Sequence, residues 1–155
     1  MKPPDHKRIA PEDLYIKKSN LPGTGKGLFT RKPISKGEII LEYKGLITTF
    51  KKIEDNPVFN PYVYFVNRNH VIDAMHFPES LGRYANDAEG MSTMPGYKNN
   101  AAFIVVKKRV YLEAKTDIVP GSEIFVAYGK DYWDAIRFNL AVDESYKLTR
   151  AKKKK

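Results

Sequence analysis

Apolar residues in this chain come in short runs, broken by glycine, proline and asparagine. Leu14-Tyr15-Ile16-Lys17 predicts a strand that ends at Ser19-Asn20-Leu21-Pro22-Gly23, and Gly27-Leu28-Phe29-Thr30 predicts a second. Pro33 to Gly37 makes a turn. Glu38 to Tyr43, rich in Ile and Leu, is a strand stopped by Gly45. Phe50 to Asn56 predicts a short helix before Pro57. In Tyr62 to Val66 the aromatic residues alternate, with Val63 on the opposite face. Arg68-Asn69 then turns into Val71-Ile72-Asp73-Ala74. The Gly, Pro and Asn content of residues 86–99 predicts a loop. Ala101 to Val106 and Val110 to Ala114 form a hairpin turning at Lys107-Lys108-Arg109. Glu123 to Tyr128 is the last strand, and Asp131 to Asn139 a short helix with Trp133, Ile136 and Leu140 on one face. Many short strands with little helix mean a mainly β domain.

Length changes this picture only by fixing scale. At 155 residues the chain fits one domain with its own core. The organisation expected is a flexible lead-in at 1–13, a domain at 14–140 and a basic tail at 141–155. The net charge is +9, but Arg150, Lys152, Lys153, Lys154 and Lys155 supply five of those charges, leaving +4. A solvated tail is the simpler reading. The functional one is non-specific phosphate attraction to nucleic acid through Lys152, Lys153, Lys154 and Lys155. The absence of cysteine excludes disulfides and thiolate zinc clusters. His70 and His76 have poor ligand spacing, so no metal site is expected. No segment has the run of apolar residues that would span a bilayer, and the N-terminal residues lack a secretory apolar core. The expectation is a soluble intracellular protein, cytoplasmic or chromatin-associated, with no membrane contact.

Several short motifs carry candidate chemistry. Gly23-Thr24-Gly25-Lys26-Gly27 lets backbone amides approach a ligand, although on the sequence alone a tight hairpin with no ligand is the simpler explanation. It lacks the Lys-Ser/Thr element of a phosphate-binding loop. In Gly82-Arg83-Tyr84-Ala85-Asn86-Asp87-Ala88, the Asn86 amide offers both donor and acceptor, while Asn-Asp is also an ordinary Asx turn. Tyr62 and Tyr64 share a strand face, where they serve as core or as the walls of a channel for an alkyl-ammonium group. Ala127-Tyr128-Gly129 ends the last strand with a tyrosine, and Trp133 follows it.

The ordered set of these motifs, with Ile39-Ile40-Leu41-Glu42-Tyr43-Lys44-Gly45 and Ile72-Asp73-Ala74, resembles the SET domain family of S-adenosylmethionine-dependent protein-lysine methyltransferases. The resemblance spans about Leu14 to Tyr132. It implies several small curved sheets with a knot-like C-terminal segment. It also implies Tyr128 as the catalytic aromatic, with Tyr62 and Tyr64 beside the methyl-transfer channel. Lys26, Gly27, Leu28, Arg83, Tyr84, Asn86, Asp87 and Trp133 would surround S-adenosyl-L-methionine. Asp73 is implied as structural. The family's usual Asn-His-Ser is Asn86-Asp87-Ala88 here. Contacts at 87 are expected through the backbone, so a histidine there should leave cofactor affinity within about tenfold. Val126, Ala101 and Ala102 put neither hydroxyl nor ring where relatives place aromatics, which implies a wide channel yielding di- or trimethyl-lysine. The implied partner is a basic protein bearing a target lysine, such as a histone. The departures at Asp87 and Ala88 keep open a catalytically weak or inactive SET-like module that binds a lysine-containing segment. A basic chromatin- or nucleic-acid-associated scaffold is the third reading.

Overall fold

A computed structural model describes residues 8–153 of the chain. Met1–Lys7 of the expected lead-in, and Lys154 and Lys155 of the tail, lie outside the described residues. The strands are β1 (Leu14–Lys18), β2 (Lys26–Thr30), β3 (Ile39–Glu42), β4 (Leu46–Thr48), β5 (Val63–Asn67), β6 (His70–Asp73), β7 (Ala101–Val106), β8 (Arg109–Ala114) and β9 (Glu123–Ile124). The helices are α1 (Phe50–Glu54) and α2 (Lys130–Lys153), with 3-10 turns at Pro11–Asp13 and Leu81–Tyr84.

The strands pair antiparallel in small sheets ordered β1-β2-β9, β3-β8-β7 and β4-β6-β5. A main core of Leu14, Leu28, Ile40, Leu112, Ile124 and Val126 joins the first two sheets. Burying these aliphatic side chains stabilises the fold by roughly 1.5–3 kcal/mol each. A second cluster of Tyr43, Ile72, Ala74 and Val110 ties the third sheet to the second, with Tyr62, Tyr64 and Phe103 packed around it. That aromatic cluster becomes the site.

Three differences from the sequence reading have physical causes. The last strand is shorter than Glu123–Tyr128. Beyond Ile124 the backbone leaves its ladder and lies between two earlier segments: Val126 N–H donates to the Asn86 carbonyl (2.9 Å), and Ala101 N–H to the Phe125 carbonyl (2.9 Å). The C-terminal helix runs to Lys153, well past Asn139, because residues 140–153 are mostly Ala, Leu, Glu, Lys and Arg, all good helix formers. β4 had no counterpart in the pattern. It is an edge strand with Leu46 and Ile47 more than half exposed, so it has no buried face to show.

Candidate active site

The glycine turn and the Asn86 segment meet through one buried carboxylate. Glu123, 2% exposed, accepts from Ser19 Oγ (2.6 Å), Asn20 N–H (2.8 Å) and Asn86 Nδ2 (3.4 Å). Asn86 Nδ2 also donates to the Lys26 carbonyl (2.9 Å). Only glycine fits at 27, since a Cβ there would lie 2.2 Å from Glu123 Oε1. The sequence reading missed Glu123. A lone Glu between Ser122 and Ile124 carries no local sign that it will be buried under Asn86.

Asp87 is a second hub. Oδ1 accepts from Glu89 N–H (2.9 Å) and Asn99 Nδ2 (2.9 Å). Oδ2 accepts from Tyr128 N–H (3.0 Å) and the Trp133 indole N–H (2.8 Å). Burial on its own would raise this carboxyl, but the hydrogen bonds from Trp133, Tyr128, Asn99 and Glu89 outweigh it and hold the group below the usual carboxylate range. The Asx turn is therefore real, as the Glu89 bond, but it is only one of four contacts. The side chain points into the protein, so only its backbone can serve a ligand. The Asp87 backbone N–H and carbonyl make no hydrogen bond among the described residues.

Trp133 is fixed from three sides. Its indole bonds Asp87 and stacks on Tyr128 (5.7 Å between ring centroids, 19° interplanar). It also presses on Gly90, where a Cβ would lie 2.1 Å from the ring. Trp133 thereby joins the first turn of α2 to both the Asp87 loop and Tyr128.

The channel lies on the other side of Tyr128. A cavity of about 80 Å³ is walled by Tyr43, Tyr62, Tyr64, Phe103, Tyr128 and Tyr132, with Arg83 and Ala85 at its base. The Tyr128 hydroxyl donates to the Ala85 carbonyl (2.5 Å), and the Tyr43 hydroxyl to the Tyr62 carbonyl (2.9 Å). Phe103 packs 5.0 Å from Tyr64 and 5.8 Å from Tyr43 between centroids. Burial pushes the Tyr128 and Tyr43 hydroxyls well above the usual tyrosine range, and those of Tyr64 and Tyr132 up as well. These phenols therefore act as neutral hydrogen-bonding groups.

The expected residues thus divide. Tyr128, Tyr62 and Tyr64 meet in one cavity. Lys26, Gly27, Asn86 and Asp87 gather on the far side of Tyr128, with Trp133 between. Leu28 is fully buried in the core, so only its backbone is available. Arg83 stands apart from the Asn86 group: it donates to the Ala74 (3.2 Å) and Met75 (3.1 Å) carbonyls and lies 4.1 Å above the Tyr62 ring, beside the channel. Tyr84 bonds the Pro78 carbonyl (3.3 Å) and packs on the core. Val126 and Ala101 are buried in the main core, and neither they nor Ala102 line the cavity. Phe103 does line it. Tyr43 and Phe103 were missed because each reads locally as a strand residue. Among the described residues no cluster of His, Asp and Glu is arranged to hold a metal ion, and no helix is long and apolar enough to cross a membrane.

The chain is similar to known proteins. Residues 25–129 match the SET domain family, and the chain belongs to that family. Among its relatives is the N-lysine methyltransferase KMT5A-A of Danio rerio, 28% identical over 117 residues, covering 69% of this chain and 33% of the relative. Another is the histone-lysine N-methyltransferase EZH2 of Chaetomium thermophilum, 28% identical over 137 residues, covering 81% of this chain and 9% of the relative. The chain thus spans a third or less of the length of these relatives. The methyltransferase domain of human PR domain-containing protein 2 has a similar structure, with a TM-score of 0.55 and 26% identity, covering 78% of this chain and 80% of that one.

Proposed function

We propose that this chain is an S-adenosylmethionine-dependent protein-lysine methyltransferase. The observation that carries the reading is the small aromatic cavity, with the Tyr128 hydroxyl inside it and the Asn86–Asp87 backbone behind it. Bound S-adenosylmethionine would supply an electrophilic methyl group. Lys26, Gly27, Asn86, the Asp87 backbone and Trp133 are the residues that would hold it. The chain's own part is alignment. The aromatic walls exclude water and accept the apolar stem of a lysine. Their desolvation favours the neutral amine. The Tyr128 hydroxyl orients the amine lone pair, and the ring faces of Tyr62 and Tyr64 favour a methylated ammonium once formed. A basic protein, a histone among them, is the substrate class we propose. The test is calorimetry with S-adenosylhomocysteine, followed by radiolabelled methyl transfer to histones and other basic proteins. Binding with transfer supports the proposal; binding without transfer would leave an inactive lysine-binding module instead.

Two further outcomes follow from the cavity. Phe103→Tyr adds a hydroxyl where little space remains, and a water held there blocks rotation of a methylated amine. The mean number of methyl groups per lysine, read by mass spectrometry at long times, should fall below that of the wild type. The second concerns pH. The phenols of Tyr128 and Tyr43 are raised, so the neutral forms persist throughout the range where a free tyrosine would begin to ionise. Turnover should climb as the substrate amine loses its proton, with no falling limb below about pH 10, the ordinary tyrosine value. A bell with its descending limb near pH 8 would contradict this assignment.

A further inference from the structure

A second, larger cleft opens on the opposite side of Tyr43 from the channel. Its volume is about 1140 Å³, and Tyr43 alone is common to both linings. The floor is aliphatic, built from Ile9, Leu41, Ile47, Ile72 and Leu81. The rim is basic, with Arg8, Lys44, Lys107 and Lys108. Arg109 and Glu42 also line it but neutralise each other in a bidentate pair (2.8 and 3.0 Å). Glu79 is the remaining carboxylate, so cations dominate the rim.

Two observations point to an occupant of the cleft. First, the edges of two sheets border it. β4 pairs only with β6, so its outer edge is free among the described residues, and β3 carries on its outer side only the short bridge from Arg8. Second, Lys107 and Lys108 sit at positive φ (49° and 65°) in the two-residue turn between β7 and β8. That turn favours Asn-Gly. Lysines there carry backbone strain, which directs attention to what their charges do.

We infer that this cleft docks an extended, acidic, aliphatic-bearing segment of a partner protein. Acidic side chains match Arg8, Lys44, Lys107 and Lys108, which make no salt bridge among the described residues. Aliphatic side chains match the floor. The backbone of an extended segment can add to the free edge of β4. Nucleic acid fits less well. Aliphatic side chains outnumber the two aromatic ones in the lining, Tyr43 and Phe77, that could stack on single-stranded bases. The inference does not depend on methyl transfer, since the cleft is separate from the channel.

The test uses the full chain and a fluorescent peptide alternating leucine or isoleucine with glutamate. Controls are the same peptide with lysine for glutamate, and an oligonucleotide of equal charge. The acidic peptide should bind saturably and the lysine version should not. Ile47→Asp should weaken binding about tenfold or more. The double variant Lys107→Asn, Lys108→Gly is the most telling. It relieves the turn and removes two charges, so the melting temperature should rise while peptide affinity falls by about fivefold or more. Absence of peptide binding would overturn the inference. So would peptide affinity unchanged by both variants, or oligonucleotide binding that is tighter than the peptide's and indifferent to Ile47→Asp.

Discussion

Asp87→Ala should cost about 3–5 kcal/mol of folding stability, enough to threaten a domain of this size. Four donors converge on that carboxylate from Glu89, Asn99, Tyr128 and Trp133. Alanine strands all four, and unsatisfied buried donors are expensive where water cannot reach them. A fall in Tm of about 10–15 °C is the corresponding expectation for a chain of this length. Asp87→Asn should lose less, because the amide oxygen keeps two acceptor sites while its NH₂ faces donors. Histidine offers at best one acceptor nitrogen for four donors. The expectation that a histidine at 87 leaves cofactor affinity within about tenfold therefore concerns only the ligand side of the residue. The pH dependence has a definite sign. The folded carboxyl lies below its ordinary value of 3.8. Its stabilising contribution is thus fully present above that value and is lost as pH falls through the lower folded value. The gap in stability between wild type and Asp87→Asn should close on that acid side. Thermal melts that place Asp87→Ala within about 1 kcal/mol of wild type would show that these contacts carry little energy.

What the sequence conveyed about the fold was whatever repeats locally. Short apolar runs bounded by Gly, Pro and Asn located β1, β2, β3 and the β7–β8 hairpin. Arg68-Asn69 falls in the turn between β5 and β6. β4 escaped because a three-residue edge strand with exposed side chains has no period to detect. The ending of the last strand escaped because its hydrogen bonds go to Asn86 and Asn100, far away in sequence. Phe125 N–H, for example, donates to the Asn100 side chain (2.9 Å), which no neighbouring residue announces.

The site follows the same logic. Tyr128, Tyr62 and Tyr64 were legible as ordered motifs, while their convergence on Tyr43 and Phe103 is a product of tertiary packing. Asp87 is instructive in another way. A two-residue view yields an Asx turn, and the Glu89 bond is that turn. The three longer-range partners turn it into the element that links the loop, the Tyr128 segment and α2. The acid at this position thus draws four donors onto its side chain inside the protein.

Tyr128→Phe should lower turnover by at least about tenfold, or roughly 1.4 kcal/mol of barrier, with the fold retained. The ring contributes packing against Tyr132 (4.7 Å between centroids) and Trp133, and phenylalanine preserves it. The lost hydroxyl frees the Ala85 carbonyl, at a stability cost of about 1 kcal/mol. Stability alone therefore cannot account for a large kinetic loss. The chemical loss should be greater because the hydroxyl sits in a small, dry, aromatic cavity, where one hydrogen bond to the incoming amine is worth more than in water. Burial keeps this phenol neutral, so its role is to direct the amine rather than to take its proton as a phenolate. A group that orients the reacting pair is needed most at the transition state, so the fall should appear in kcat with KM little changed. Circular dichroism and a melt would verify the fold, and single-turnover methyl transfer at saturating S-adenosylmethionine and peptide would isolate the chemical step. Wild-type rates under those conditions would remove the Tyr128 hydroxyl from the mechanism and leave alignment to the cavity walls.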